Sequence, residues 1–262
     1  MRQGRRTVGV LVVPLVCAVA LSGLTACGAG RPHAARRPAA VVAVAVTPTG
    51  SPVASPSPRS RRPRALPPIA HVSGGRTVAL TFDDGPDPTW TPRILAVLAR
   101  AHVHATFCLI GWEAAAHPAL VRAIVRAGHA LCDHTWDHDL DLAKRRPSRI
   151  RHDMTRAYDA VVQASGGIRP AFFRTPGGGW STYIERESQR LGMRPLGWNV
   201  DPRDWTRPGV PSILATIHAE LHNGGVILMH DGGGDRSQTV RALRLLLRLL
   251  PARGFRFVLP PA

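Results

Sequence analysis

From His71 onward, short β-rich apolar runs alternate with longer segments whose apolar residues recur at helical spacing. Short β-rich runs alternating with segments of helical period are the pattern of repeated βα units. Strands are expected at 77–82, 105–110, 130–133, 171–174, 194–198, 226–229 and 255–259. Between them, Ile94, Leu95 and Leu98 share one helical face behind Thr91-Pro92, an N-cap and first-turn pair. Val240, Leu243, Leu246, Leu247 and Leu250 repeat the pattern behind Ser237. Such helices bury one stripe against a sheet, which leaves Arg241, Arg244 and Arg248 on a solvated face. An eightfold βα barrel takes about 250 residues, so seven strands in a shorter stretch imply an α/β fold of shortened or distorted (β/α) barrel type. A doubly wound open sheet is the alternative, and both place chemistry at the C-terminal ends of the strands.

The N-terminal part has a different composition. Arg2, Arg5 and Arg6 precede an uncharged apolar run from Val8 to Leu24, which ends in Leu24-Thr25-Ala26-Cys27. That order is expected of an export signal. Its end resembles the bacterial lipobox, in which the cysteine is lipidated and becomes the new N-terminus. Residues 1–27 therefore read as a lipoprotein-type signal peptide that leaves the protein anchored through Cys27 on the outer face of the cytoplasmic membrane, facing the wall. An uncleaved N-terminal membrane helix is the alternative. Residues 28–70, rich in Pro, Ala, Ser and Arg and free of acidic residues, read as a disordered linker, and 71–262 as the catalytic domain. Ten of the 34 cations precede residue 70, leaving 24 against 17 anions, or +7, for the remainder of a chain whose formal charge is +17. Export argues against nucleic acid as the acidic partner of that basic tether; anionic lipid or wall polymer stays open.

Of four cysteines, Cys17 lies in the signal and Cys27 at its end. Cys108 and Cys132 each sit in a strand-like run. Either they form a disulfide across neighbouring strands in an oxidising compartment, or they are two buried thiols.

Polar residues able to bind metal fall where strands end. Thr81-Phe82-Asp83-Asp84-Gly85-Pro86 delivers adjacent carboxylates into a Gly-Pro turn, and alone it reads as a turn or helix cap. His134-Thr135-Trp136-Asp137-His138 follows a strand and carries imidazoles four residues apart, which converge if the segment makes one helical turn. One carboxylate and two imidazoles make a three-ligand hydrolytic site, and Asp84, His134 and His138 fit it.

With these motifs the chain resembles the polysaccharide deacetylase family, carbohydrate esterase family 4, over roughly residues 75–260. The motifs run in order through Thr81 to Asp84, His134 to His138, Arg174-Thr175-Pro176-Gly177-Gly178, Asp201-Pro202-Arg203-Asp204-Trp205 and Leu228-Met229-His230. The resemblance implies that Asp84, His134 and His138 hold a divalent metal, zinc by default and cobalt as a substitute. It implies that Asp83 is the general base, paired with Arg174, and that His230 is the general acid, supported by Asp204. It places a backbone N–H near Gly177 against the oxyanion, and Trp205 and Leu228 as walls of the acetyl pocket, although packing alone would also explain Leu228. Two departures stand out: Gly177 replaces a larger side chain of many relatives, and Cys108 an aromatic. His102, His104, His117, His129, His152, His218 and His222 fall outside the motifs and read as surface or core residues. Asp137 and Asp141 read as solvated turn residues in preference to supports for the ligands.

The expected activity is removal of N-acetyl groups from peptidoglycan, a chitin-like oligomer or another N-acetylglucosamine polymer, by a monomer. The alternatives are an O-acetyl esterase acting on xylan, a glycan-binding relic without turnover, and a tethered structural protein. Relics often lack the base, the acid or a ligand, and this sequence keeps them all.

Overall fold

The computed structural model describes residues 64–262. The apolar run, Cys27 and most of the expected linker lie outside the described residues. Seven strands form one parallel sheet: β1 (Thr77–Gly85), β2 (Thr106–Leu109), β3 (Ala130–Asp133), β4 (Phe172–Phe173), β5 (Arg194–Pro195), β6 (Gly225–His230) and β7 (Arg256–Phe257). Their order is β5-β4-β3-β2-β1-β6, with β7 beside the start of β1. Each falls within or over one of the runs read from the sequence.

Seven α-helices connect them: α1 (Thr91–Arg100), α2 (Gly111–Ala116), α3 (Pro118–Arg126), α4 (Pro147–Ser165), α5 (Thr182–Arg190), α6 (Val210–Glu220) and α7 (Ser237–Ala252). The sheet curls toward closure, but no regular ladder joins β5 to β6. Irregular bridges occupy that seam: Val200 pairs with Ile227, and Ile69 with Leu196. The Ile69 N–H donates to Pro195 O at 2.9 Å, and Gly197 N–H donates to Ile69 O at 2.8 Å. The result is a distorted barrel. Ile69, assigned to the linker by composition, is buried here, so packed structure reaches back past His71. One isoleucine among prolines gives no periodicity to read.

Strand alternation divides the buried residues into two populations. Val78, Leu80 and Phe82 of β1, Phe107 and Leu109 of β2, and Ile227 and Met229 of β6 face outward and pack with Ile94, Leu98, Ile124, Leu243 and Leu246 of the helices. Ala79, Cys108, Cys132, Phe172, Leu196 and Val226 face inward and fill the lumen. The β2–β3 register sets Cys108 opposite Cys132, and the two are joined as a disulfide inside that layer. Of the alternatives left open by the sequence, the structure selects the bridge.

Helix starts differ in detail from the expected caps. Trp90 occupies the N-cap of α1 and Thr91 is its first residue, with a side chain buried toward the barrel. Its hydroxyl donates to Asp231 Oδ2 at 2.5 Å and accepts from Asp87 N–H at 2.8 Å. Ser237 likewise begins α7 inside the helix, behind Arg236. Arg241, Arg244 and Arg248 are solvent-exposed, as expected. Among the described residues no helix is long and apolar enough to cross a membrane.

Candidate metal and catalytic centre

The inward row of β1 continues from Ala79 through Thr81 to Asp83. The parallel register of β1 with β6 places Thr81 beside Leu228 and Asp83 beside His230. Sequence-distant side chains thus meet because they occupy the same face at the same height. Asp83 is almost fully buried, and its Oδ1 accepts from Arg174 Nη1 at 2.7 Å. Arg174 is wholly enclosed. Its Nη1 also donates to Thr81 Oγ1 at 2.8 Å, its Nε to Leu196 O at 3.1 Å and its Nη2 to Gly197 O at 2.9 Å. A buried guanidinium is tolerated only when its donors are used and its charge is matched, and this one meets both conditions.

Asp84 would point away from Asp83 in a regular strand. A bulge between Asp83 and Gly85 puts Asp84 at φ 73°, which turns its carboxylate toward the same site. Left-handed backbone at a non-glycine residue costs roughly 1 kcal/mol or more and persists where surrounding structure enforces it. The histidines converge by similar means and not by the expected helical turn. Residues 134–138 form no helix; Thr135 and His138 stand at φ 70° and 53°. The Thr135 N–H donates to Asp133 Oδ1 at 2.8 Å, and its hydroxyl accepts from His138 N–H at 3.1 Å, which ties the loop down.

Asp84, His134 and His138 bring one ligand atom each within 4.8 Å of the others. The Asp84 Oδ1 atom is buried without a well-aligned donor, with His138 Nε2 at 3.1 Å and His134 Nε2 at 3.6 Å. His134 Nδ1 lies 2.8 Å from Arg174 O, and donating there leaves Nε2 as the lone-pair end. Burial lowers the His134 pKa against the pull of Asp83 and Asp84, which favours the neutral, ligating form. Burial pushes the Asp84 carboxyl up, but the close approach of His138 and the surrounding histidines outweigh it and hold it at about 2. An orphaned carboxylate oxygen facing two imidazole nitrogens suits a divalent cation of the zinc type.

Across the cleft, His230 Nδ1 lies 2.7 Å from Asp204 Oδ1. The other Asp204 oxygen accepts from Thr239 Oγ1 at 2.6 Å and from the His230 N–H at 3.1 Å. Burial works against the charged imidazole, yet the Asp204 hydrogen bond prevails and raises the His230 pKa. Gly177, Trp205 and Leu228 all line the same cleft of about 620 Å³ with the ligands, Asp83 and His230. Gly177 stands at φ 60°, and a β-carbon there would meet Leu140 at 3.2 Å. Trp205 is half exposed at the rim, whereas Leu228 is buried in the wall.

Other lining residues carried no sequence signal: Leu140, Trp198 and Arg236, the last donating to the carbonyls of Gly232 and Gly233. Thr239, which holds Asp204, was equally silent. Asp231 is buried behind the Gly85 bulge, and burial pushes its carboxyl up to about 7 against the Thr91 hydrogen bond. Asp137 and Asp141 pair with Arg149 and Lys144 at the surface, so they are solvated turn residues. Of the remaining histidines, His129 is buried and accepts from Ala105 N–H at 3.2 Å.

The Arg174–Asp83 and Asp204–His230 pairs and the Asp84, His134 and His138 cluster share one cleft at the mouth of a parallel α/β barrel. Comparison with known proteins gives the class. The family model for polysaccharide deacetylase matches residues 71–196. A chitooligosaccharide deacetylase of Bradyrhizobium sp. (strain ANU 289) is 40% identical over 195 residues, spanning 70% of this chain and 89% of the relative. A peptidoglycan-N-acetylglucosamine deacetylase of Bacillus cereus is 36% identical over 188 residues, spanning 70% and 85%. Among solved structures, a family 4 carbohydrate esterase from Streptomyces lividans in complex with acetate superposes with a TM-score of 0.64 at 30% identity, covering 71% of this chain and 98% of that one. This chain belongs to the polysaccharide deacetylase family.

Proposed function

We propose that the protein is a metal-dependent N-deacetylase of N-acetylglucosamine units in peptidoglycan or a chitin-like oligomer. The observation that carries this reading is the meeting, in one cleft, of the Arg174-paired Asp83, the Asp204-backed His230 and the Asp84, His134 and His138 cluster. The relatives named as chitooligosaccharide and peptidoglycan deacetylases support the substrate class.

Asp84, His134 and His138 would hold zinc, or cobalt in its place, and the bound metal would supply Lewis-acid polarisation of a carbonyl and a water. Asp83 takes the proton from the attacking water, its carboxylate aimed by the Arg174 hydrogen bond. A backbone N–H near Gly177 donates to the carbonyl oxygen as negative charge gathers on it. His230 then delivers a proton to the leaving nitrogen, and Asp204 keeps it charged for that task. Amine expulsion needs this proton more than alcohol expulsion does, which favours an N-acetyl over an O-acetyl substrate. Leu228 and Trp205 bound the space for a small acyl group.

The export reading belongs to the same proposal: a signal ending at Cys27 and a basic linker would hold the domain outside the cytoplasmic membrane, beside wall glycan. The test is acetate release by residues 64–262 from N-acetylglucosamine oligomers, peptidoglycan and acetylated xylan, before and after chelation and zinc add-back. Chelator-sensitive release that returns with zinc, greatest on N-acetylated substrates, is expected. Release indifferent to chelation, or confined to xylan, would overturn it.

A further inference from the structure

Helices α1, α3 and α7 are neighbours in the outer layer, with α1 in contact with both of the others. Each is amphipathic, and none contains an aspartate or glutamate. Their exposed positions carry Arg100 on α1, Arg122 and Arg126 on α3, and Arg241, Arg244 and Arg248 on α7. Among the described residues no carboxylate lies within ion-pairing distance of any of these, whereas Arg149 and Arg151 on the adjoining α4 pair with Asp137 and Glu187. Read helix by helix, such arginines form an ordinary solvated face. The fold sets the three faces side by side, and a net charge of one sign accumulates where salt-bridge partners are missing.

Between α1 and α7 this surface is indented. The groove holds about 490 Å³ and is lined by Val97, Arg100, Ala101, Arg244, Leu247 and Arg248. Its rim is cationic and its floor is apolar.

We propose that this arginine face docks the domain on the surface of an anionic phospholipid bilayer. The charge suits headgroup phosphates, to which arginine donates bidentately. The apolar floor suits the glycerol and upper acyl region, for which a water-soluble polyanion has no counterpart. The chain itself brings a bilayer within reach, because residues 1–27 read as a signal that leaves the protein anchored to the membrane through Cys27. A linker of some 40 residues spans on the order of 100 Å when extended, so the tether alone leaves the domain unoriented. Docking through α1 and α7 would fix it with the strand ends, and therefore the cleft, directed along the membrane plane.

The described residues belong to one compact unit with its own apolar clusters, so residues 64–262 serve as the test protein without the N-terminal run. The measurement is co-sedimentation with vesicles of phosphatidylcholine alone or with a third phosphatidylglycerol, against Arg100→Gln/Arg244→Gln/Arg248→Gln. Expected are binding to the anionic vesicles only, release by salt, and at least roughly tenfold weaker binding by the triple variant with an unchanged Tm. No binding by the parent protein, or equal binding by the variant, would overturn the proposal. Capture by soluble polyphosphate in preference to vesicles would also overturn it, by assigning the face to a polyanion. Sedimentation needs no turnover, so it is decided separately from the deacetylase activity.

Discussion

The two sides of the cleft are built differently. Asp83, Arg174, Leu228 and His230 are inward positions on, or directly following, paired strands, and their geometry follows from register. Asp84, Thr135 and His138 reach the cleft through left-handed backbone at a bulge and a short loop. Hydrogen bonds from Thr135 and an enforced bulge must maintain that arrangement. The strand-borne side should therefore be rigid and expensive to disturb, and the loop-borne side locally adjustable.

The sharpest way to break the comparison is to remove one group from each side. Asp83→Asn should lower kcat by roughly 10²–10⁴ with zinc content unchanged, whereas His138→Ala should lose both turnover and metal. Equal metal loss in the two variants, measured by metal analysis of the purified proteins, would merge roles that the geometry separates. Arg174→Met strands a buried carboxylate and should cost about 3–5 kcal/mol of stability, read as a large drop in denaturant midpoint. A midpoint near the parent's would mean the strand-borne side is softer than its hydrogen bonding indicates.

Asp204→Asn tests the acid. The Asp204 hydrogen bond raises the His230 pKa; in the acid role proposed for His230 the protonated form is the competent one, so activity should be lost as pH rises through that raised value. Removing the carboxylate charge should move the alkaline limb of the kcat profile to lower pH and cut activity at neutral pH by roughly 10- to 100-fold. An alkaline limb that stays in place would assign it to another group. The smallest effect is expected from Thr135→Val, which keeps shape but loses the acceptor for the His138 N–H. Zinc affinity should fall by up to about tenfold, the worth of one hydrogen bond, with the denaturant midpoint little changed. A stability loss matching that of Arg174→Met would erase the distinction between the two sides.

Much of this was legible before any coordinates. β-rich apolar runs set between segments of helical period marked all seven strands, because such composition is a property of neighbouring residues. The motif residues were legible as polar groups placed where apolar runs end. The chain could not declare the bulge that turns Asp84, since a bulge is a mismatch between two strands and neither sequence alone contains it. The His134–His138 loop read as a helical turn for the same reason: i,i+4 spacing suggests a helix, while the contacts that hold Thr135 and His138 left-handed come from folding. Thr91 looked like a cap until Asp231 was placed beside it from 140 residues away.

By itself, then, the sequence determined the repeated βα order and the titratable and metal-competent residue types at strand ends. These are local properties, set by periodicity and side-chain chemistry. Tertiary structure decided which of them meet: the register that sets Asp83 beside His230, the seam closed by Ile69 and Val200, the Cys108–Cys132 bridge, and the arginine surface assembled from three separate helices. Each depends on distances between residues far apart in the chain, and those are fixed only when the sheet curls and the helices pack against it.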